Sequence, residues 1–341
     1  MPTTSNVPGP PLKHAPADPR RTTAPVARVP TRQSRRRKIR AARNAALAGL
    51  IGALGGLFRL LPARLAVGCG RALGAGAHAL LRRDRRRALE HLALALPELD
   101  AAERGRVARG TFCNAGGSFA ELAHWPWLRR RLGHVITVDG MEYVDRGLAM
   151  GRGLIAVTGH VGNWELLAAT FAYLGYGLSV VARRVNDDRF DAMVSGFRRR
   201  AGVHTILRDD AAALRDSVQM LRQGRILALL IDQDTRGPGV FVPFFGRLAR
   251  TSPAAAVLAL RTRAPVVTAF IERRGRGHRI RVRPAHGFES GSARRPSAEE
   301  LTARLTAAIE AQIRRRPTEW VWWHRRWRRQ PEGGLALRHS A

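Results

Sequence analysis

Short apolar runs closed by glycine or polar turns alternate with longer stretches of helical spacing through the second half of the chain. The runs at 154–158, 178–182, 226–231, 265–271 and 279–282 are predicted as strands, and 164–174, 190–200, 211–223 and 253–262 as the helices between them. Such alternation predicts an α/β fold with a mixed, mostly parallel sheet flanked by helices. Residues 82–132 keep helical spacing on both sides of Pro97, so helices precede the sheet.

The N-terminal pattern is different. Residues 1–40 carry Pro8, Pro10, Pro11, Pro16, Pro19, Pro25 and Pro30 with almost no large apolar side chains, and read as a disordered basic tail. The cluster Arg35, Arg36, Arg37, Lys38 and Arg40 stands before an apolar stretch at 45–58, interrupted at Arg59 and closed by Leu60, Leu61 and Pro62. A helix over that stretch rises roughly 21 Å against an apolar bilayer core of about 30 Å. Three readings stay open: a spanning helix with snorkelling arginines, shallow interfacial insertion, and a buried amphipathic helix. The resulting division is a tail at 1–40, a membrane-associating helical region at 41–85, a main domain at 86–332 and a C-terminal tail at 333–341. Under both membrane readings the basic cluster faces the anionic cytoplasmic side.

Composition narrows the partners only partly. The chain has 341 residues, with 59 Lys and Arg against 26 Asp and Glu, a formal net charge of +33. That field attracts anionic lipid, nucleic acid or an acidic protein, although part of it reflects a general richness in Arg, Ala and Gly. Cys69 and Cys113 form neither a disulfide framework nor a thiolate metal motif, and the first residues lack the apolar core of a cleavable secretory signal.

The densest chemistry lies at 158–167, where a strand gives way to a helix. His160 and Glu165 could not meet within one continuous helix, because positions five apart diverge by about 140°. A helix starting at Trp164 behind an Asn163 cap, with Gly159 and Gly162 permitting an irregular turn, lets His160 fold back over Glu165. A carboxylate on one imidazole nitrogen fixes the tautomer, so that the other nitrogen takes a proton from a hydroxyl. Amides at the helix start are suited to an oxyanion or phosphate. Arg198 and Arg200 are suited to forked hydrogen bonds with phosphate, or to a solvated basic face. Asp232 ends a strand, either beside a ligand crevice or in a plain turn. The segment 241–245 suits a pocket for an alkyl chain or core packing, and the mixed Trp and Arg of 319–327 suit a lipid interface.

Gly159-His160 through Trp164-Glu165 resembles the H-x4-D/E motif of glycerolipid-type acyltransferases and, more narrowly, of the lipid A biosynthesis acyltransferases. Three further blocks follow in matching order: 183–187 with 198–202, 232–246, and 319–327. The resemblance covers about residues 40–332. It implies a glycerolipid acyltransferase-like fold and direct transfer from an acyl carrier protein thioester to a lipid hydroxyl. It also implies neither metal nor cofactor, and a catalytic domain on the cytoplasmic face of the inner membrane. His160 is then the base and Glu165 its partner. Asn163, Arg184, Arg198, Arg200, Asp232, Asp234, Phe244 and Phe245 are the substrate-binding candidates. The acceptor expected is a lipid A precursor, with a phosphatidylinositol mannoside as the alternative. A non-enzymatic basic protein binding anionic lipid or nucleic acid is the reading from another class. It leaves His160 and Glu165 unexplained, and no specific nucleic-acid partner is expected.

Overall fold

The computed structural model describes residues 32–184, 188–235, 237–288 and 294–331. The tail at 1–31, Val185 to Asp187 of one family-like block, and the C-terminal tail at 333–341 therefore lie outside the described residues. The chain divides into two compact units, one ending at Ala46 and the other running from Leu47 onward. Helix α1 spans Arg32–Leu60, beginning soon after Pro30, the last helix breaker of the tail, rather than at residue 41. Among the described residues, no helix is long and apolar enough to cross a membrane.

Helices α2 (Ala63–Leu80), α3 (Arg82–Ala95) and α4 (Ala101–Ala123) follow. Asp100 and Glu103 close a reciprocal capping box at the start of α4. Gly70 and Gly74, one turn apart on α2, bring its backbone against that of α4, and a side chain at either would strike the Gly116 or Phe112 carbonyl. After the short helices α5 (Trp125–Arg129) and α6 (Leu132–Val135) comes the α/β part. Its elements in order are β1 (Ile136–Asp139), α7 (Met141–Ala149), β2 (Leu154–Thr158), α8 (Trp164–Tyr173), β3 (Leu178–Ala182) and α9 (Asp188–Arg200). Next are β4 (His204–Leu207), α10 (Ala213–Arg222), β5 (Ile226–Leu230), β6 (Val240–Phe244), β7 (Arg247–Thr251) and α11 (Ala254–Thr262). Strands β8 (Val266–Arg274) and β9 (Gly277–His286), helix α12 (Ala298–Arg315) and a 3-10 turn at Pro317–Glu319 complete the series.

The seven-stranded sheet has the order β1-β9-β8-β2-β5-β3-β4. Only β8 and β9 pair antiparallel within it, so the sheet is mixed and mostly parallel, as the alternation predicted. Strand β5 lies between β2 and β3, and this insertion positions the site. In register, Val157 faces Leu229 and Thr158 faces Leu230, so whatever follows these two strands emerges side by side.

Alternate residues divide the sheet into two faces. Ile155, Val157, Leu227 and Leu229 point into a core shared with α11, α12 and the Trp-rich segment. Leu154, Ile226, Leu178 and Val180 belong to the opposite core, beneath α8. The antiparallel hairpin β6–β7 stands apart, packed by Phe244 and Phe245 against Trp320, Trp322 and Trp327.

Candidate active site

His160 and Asp232 each stand two residues beyond the paired ends of β2 and β5, and their side chains meet there. The His160 ring nitrogen Nδ1 lies 2.8 Å from Asp232 Oδ1, and the His160 backbone N–H donates to Oδ2 at 2.8 Å. The Trp320 indole N–H donates to the same Oδ2 at 2.8 Å. Gly159 makes room for this approach, since a Cβ there would lie 3.1 Å from the Asp232 carboxyl carbon. Burial alone would raise the Asp232 carboxyl. The His160 imidazole and the three hydrogen bonds outweigh it and hold the group well below the usual carboxylate range. An ionised acceptor on Nδ1 fixes a proton there and leaves Nε2 as the basic nitrogen.

This corrects the expected pairing. Helix α8 does begin at Trp164 behind Asn163, and Gly162 adopts the positive φ of +64° that the turn requires. Glu165, however, gives both carboxylate oxygens to Arg198 of α9, at 2.9 Å to Nε and 2.6 Å to Nη2. A bidentate guanidinium and carboxylate pair with both side chains mostly buried is a strong, directional contact, and it engages the carboxylate that the local motif had assigned to His160. The partner of His160 comes instead from the segment that follows β5, 72 residues away.

The other candidates separate similarly. Arg198 lines the cavity beside His160, but its guanidinium is committed to Glu165. Arg200 is exposed and absent from the cavity wall, because residues two apart on a helix point about 200° apart. Arg184 is exposed and also absent from that wall, where Arg183 stands instead. Asn163 is a buried structural cap: its Oδ1 accepts from the Leu166 N–H and its Nδ2 donates to Glu121 at 3.0 Å, tying α8 to α4. Asp234 reaches the cavity wall and pairs with Arg328 at 3.3 Å. Phe244 and Phe245 are corrected as chain-pocket residues, since both are buried in the aromatic core and neither borders the cavity.

Trp320, Trp322 and Trp327 are likewise core rather than lipid interface. Their rings pack against each other and against Phe244 and Phe245, and Arg326 lies fully buried over Phe244 at 4.9 Å. Arg326 donates to the Arg250 carbonyl at 2.7 Å and to the Thr251 hydroxyl at 2.5 Å, so its charge is solvated by protein oxygens. Gln233 and His324 were not singled out from the sequence. The Gln233 amide nitrogen lies 3.0 Å from His160 Nε2 and 2.9 Å from His324 Nδ1. Burial lowers His324 to about 4, so it is neutral and able to accept. Sequence offered only their placement next to Asp232 and within the Trp-rich block.

A cavity of about 510 Å³ opens at His160 and runs under α8 along one face of the sheet. Leu154, Ala156 and Thr158 of β2 and Ile226 and Ala228 of β5 line it at alternate positions, opposite Leu167, Ala168 and Phe171 of α8. Its mouth is polar, with Glu165, Arg183, Arg198, Gln233, Arg325 and Arg328. Small side chains in the middle of the strands keep the bore open. Along β2 the apolar wall extends about 13 Å at a strand's rise per residue. Among the described residues, no set of three His, Cys, Asp or Glu side chains converges as metal ligands.

Glu319 fixes the loop that carries His160 from behind. Its carbonyl accepts from the Gly162 N–H at 2.9 Å, and its carboxylate accepts from the Arg273 N–H at 3.1 Å. Burial raises its carboxyl to about 7, against opposing effects of Arg273 and Arg316. The folded protein thus retains a proton that the unfolded chain has released above the ordinary carboxylate range. Stability therefore falls as pH rises from that range to about 7, by roughly 3 kcal/mol at most from this group. Glu319→Gln is expected to flatten the fall in melting temperature between about pH 5 and about pH 7.5. An unchanged slope would remove Glu319 as its source.

A family model described as "Bacterial lipid A biosynthesis acyltransferase" matches residues 33–329. The chain is 29% identical over 280 residues to the lipid A biosynthesis lauroyltransferase of Escherichia coli strain K12, covering 80% of this chain and 87% of that one. It is 28% identical over 256 residues to the lipid A biosynthesis myristoyltransferase of the same organism, covering 73% and 77%. A phosphatidylinositol mannoside acyltransferase of Mycolicibacterium smegmatis is 25% identical over 269 residues, covering 77% and 86%. With nearly the whole described chain inside the match, the protein belongs to the bacterial lipid A biosynthesis acyltransferase family and is an acyltransferase.

Proposed function

We propose that the protein transfers a fatty acyl chain from an acyl carrier protein thioester to a hydroxyl of a lipid A precursor, with His160 as general base and Asp232 as the residue that orients it. The observation that carries this reading is the His160 and Asp232 pair at the mouth of an apolar cavity. The acyl chain lies under α8, placing its thioester carbonyl at the polar mouth. His160 Nε2, relieved of its contact with Gln233, takes the proton of the acceptor hydroxyl as the oxygen attacks that carbonyl. The carbon–sulfur bond then breaks, and the imidazolium returns its proton to the leaving thiolate. The products are an ester and a free thiol. Asp232 stabilises the imidazolium while it exists.

The cavity wall supports an alkyl substrate, since burial gains about 0.8 kcal/mol per methylene. Filling the bore from the middle of β5 with Ala228→Phe is expected to shorten the preferred chain. The loss in kcat/KM would be about fourfold for each methylene excluded, measured over a series of acyl thioesters. Equal losses at every chain length would argue against this pocket.

The same reading places the protein on an anionic membrane surface. Leu50, Leu57 and Leu60 of α1 and Leu65, Leu73 and Leu80 of α2 are exposed, Leu60 and Leu80 by more than four-fifths, with arginines nearby in sequence. Sedimentation with anionic vesicles should be lost when Leu57 and Leu60 become glutamate, and retention would disfavour docking through this edge. The relatives that act on phosphatidylinositol mannoside favour a second acceptor. Purified protein given acyl carrier protein thioester and either acceptor, with products read by mass spectrometry, decides between them. Product on neither lipid sinks both.

A further inference from the structure

We infer that the first turns of α3 and the Arg325–Arg328 segment form a phosphate-binding subsite beside the catalytic mouth, rather than a solvated basic face. A pocket of about 370 Å³ lies between these two stretches of chain. Arg83, Arg86 and Arg87 border it on one side, Arg325 and Arg328 on the other, and among the described residues Glu90 is the only carboxylate in its wall. Arg325 and Arg328 also line the catalytic cavity, so the pocket and the mouth share a wall. The two stretches are held in place independently of any ligand. Arg87 donates to the Trp323 carbonyl at 3.3 Å, and the His91 ring nitrogen Nδ1 lies 2.7 Å from the Trp322 carbonyl.

The internal charge balance of the pocket is incomplete. Arg87 is paired with Asp84 at 3.2 Å, Arg328 with Asp234 at 3.3 Å, and Arg86 weakly with Glu90 at 3.4 Å. Among the described residues, the side chains of Arg83 and Arg325 make no hydrogen bond or ion pair. Helix α3 also opens with Arg82, Arg83, Arg85, Arg86 and Arg87 around a single Asp84, and its cap, Leu81, supplies no side-chain acceptor. Cations crowd the positive end of a helix there, an arrangement that an anion relieves. Guanidinium groups converging from two walls match the oxygens of a phosphate monoester or diester, which forked hydrogen bonds hold well.

This inference rests on the acyl-transfer reading only for the ligand's identity. The phosphate belongs either to the lipid acceptor or to the phosphopantetheine arm of the donor. Exposed Leu80 and Leu81, immediately before the arginines, place the pocket beside the apolar edge.

The test uses the full chain and the double variant Arg83→Gln/Arg325→Gln, with Arg215→Gln/Arg222→Gln on α10 as a surface control. Inorganic phosphate binding, followed by ³¹P linewidth at constant ionic strength, should weaken at least about tenfold in the first variant. It should stay within about twofold in the control, with melting temperatures of both near the parent's in chloride. Equal phosphate binding in all three proteins overturns the subsite. In turnover, the first variant should raise KM about tenfold for one substrate with little change in kcat. A rise for the lipid assigns the phosphate to the headgroup, and a rise for the thioester assigns it to the donor arm. Unchanged KM for both overturns a role in substrate recognition. If the parent protein transfers no acyl group at all, the acyl-transfer reading fails, and phosphate binding still decides the subsite.

Discussion

Replacing His160 by alanine is expected to lower kcat for acyl transfer by roughly 10²- to 10⁴-fold, the range associated with loss of a positioned general base. His160 lines the open mouth of the cavity, so the substitution exposes no large apolar surface. Asp232 keeps the Trp320 indole N–H and the backbone N–H of residue 160. It does lose its imidazole partner in a fully buried position, so His160→Gln is the companion variant, retaining a donor for Asp232 without a basic nitrogen. His324 cannot take over. Burial holds it near 4, and a base that weak removes a proton from an alcohol poorly. Turnover measured with acyl carrier protein thioester, beside melting temperatures for both variants, checks this result. Near-parental activity in either variant would remove the base.

The second large effect is expected at Asp232. Asp232→Asn removes the charge opposite Nδ1 while keeping the shape, and kcat should fall by roughly 10³- to 10⁴-fold with KM little changed. The amide also offers an N–H where the imidazole needs an acceptor, favouring the wrong tautomer. Glu165→Gln should act differently. It breaks the bidentate pair with Arg198 and leaves a mostly buried guanidinium without its carboxylate, so the main losses should be in stability and in KM. Steady-state kinetics and thermal unfolding of the two variants separate these roles. A larger fall in kcat for Glu165→Gln than for Asp232→Asn would reverse them.

The difference between these two carboxylates shows how far the sequence could be read. Strands β2 and β3 end where the apolar runs end, and α8 begins at the residue after its Asn163 cap, because such boundaries are set by local chemistry. The placement of His160 on the turn follows from the same local signals. Its partner does not. Asp232 becomes a neighbour only because β5 inserts between β2 and β3, and sheet order depends on packing between segments far apart in the chain. Glu165 is near in sequence, so a local motif favours it, yet Arg198 reaches it from α9.

The Trp-rich block failed as a lipid interface for a related reason. Intermingled Trp and Arg look amphipathic in one dimension, whereas here Phe244 and Phe245 from the β6–β7 hairpin enclose the rings, and the Arg250 carbonyl and Thr251 hydroxyl accept from Arg326. Of the two readings of 241–245, an acyl-chain pocket or core packing, Phe244 and Phe245 take the second, so the apolar cavity is not formed by these aromatics. It lies instead where Ala156, Ala228 and Ala168 leave space, a feature that small side chains do not announce in sequence. Strands β1, β4, β6 and β7 and helix α12 were not anticipated. The first two are only four residues long, too short for alternation to be distinguished from a turn.

The tautomer of His160 tests the Asp232 assignment most directly. Long-range ¹H–¹⁵N correlation spectra of histidine-labelled protein, with the His160 signals identified by their loss in His160→Gln, should show the neutral ring protonated at Nδ1. That pattern should change in Asp232→Asn and persist in Glu165→Gln. A ring protonated at Nε2, or one that responds to Glu165→Gln and ignores Asp232→Asn, would contradict it.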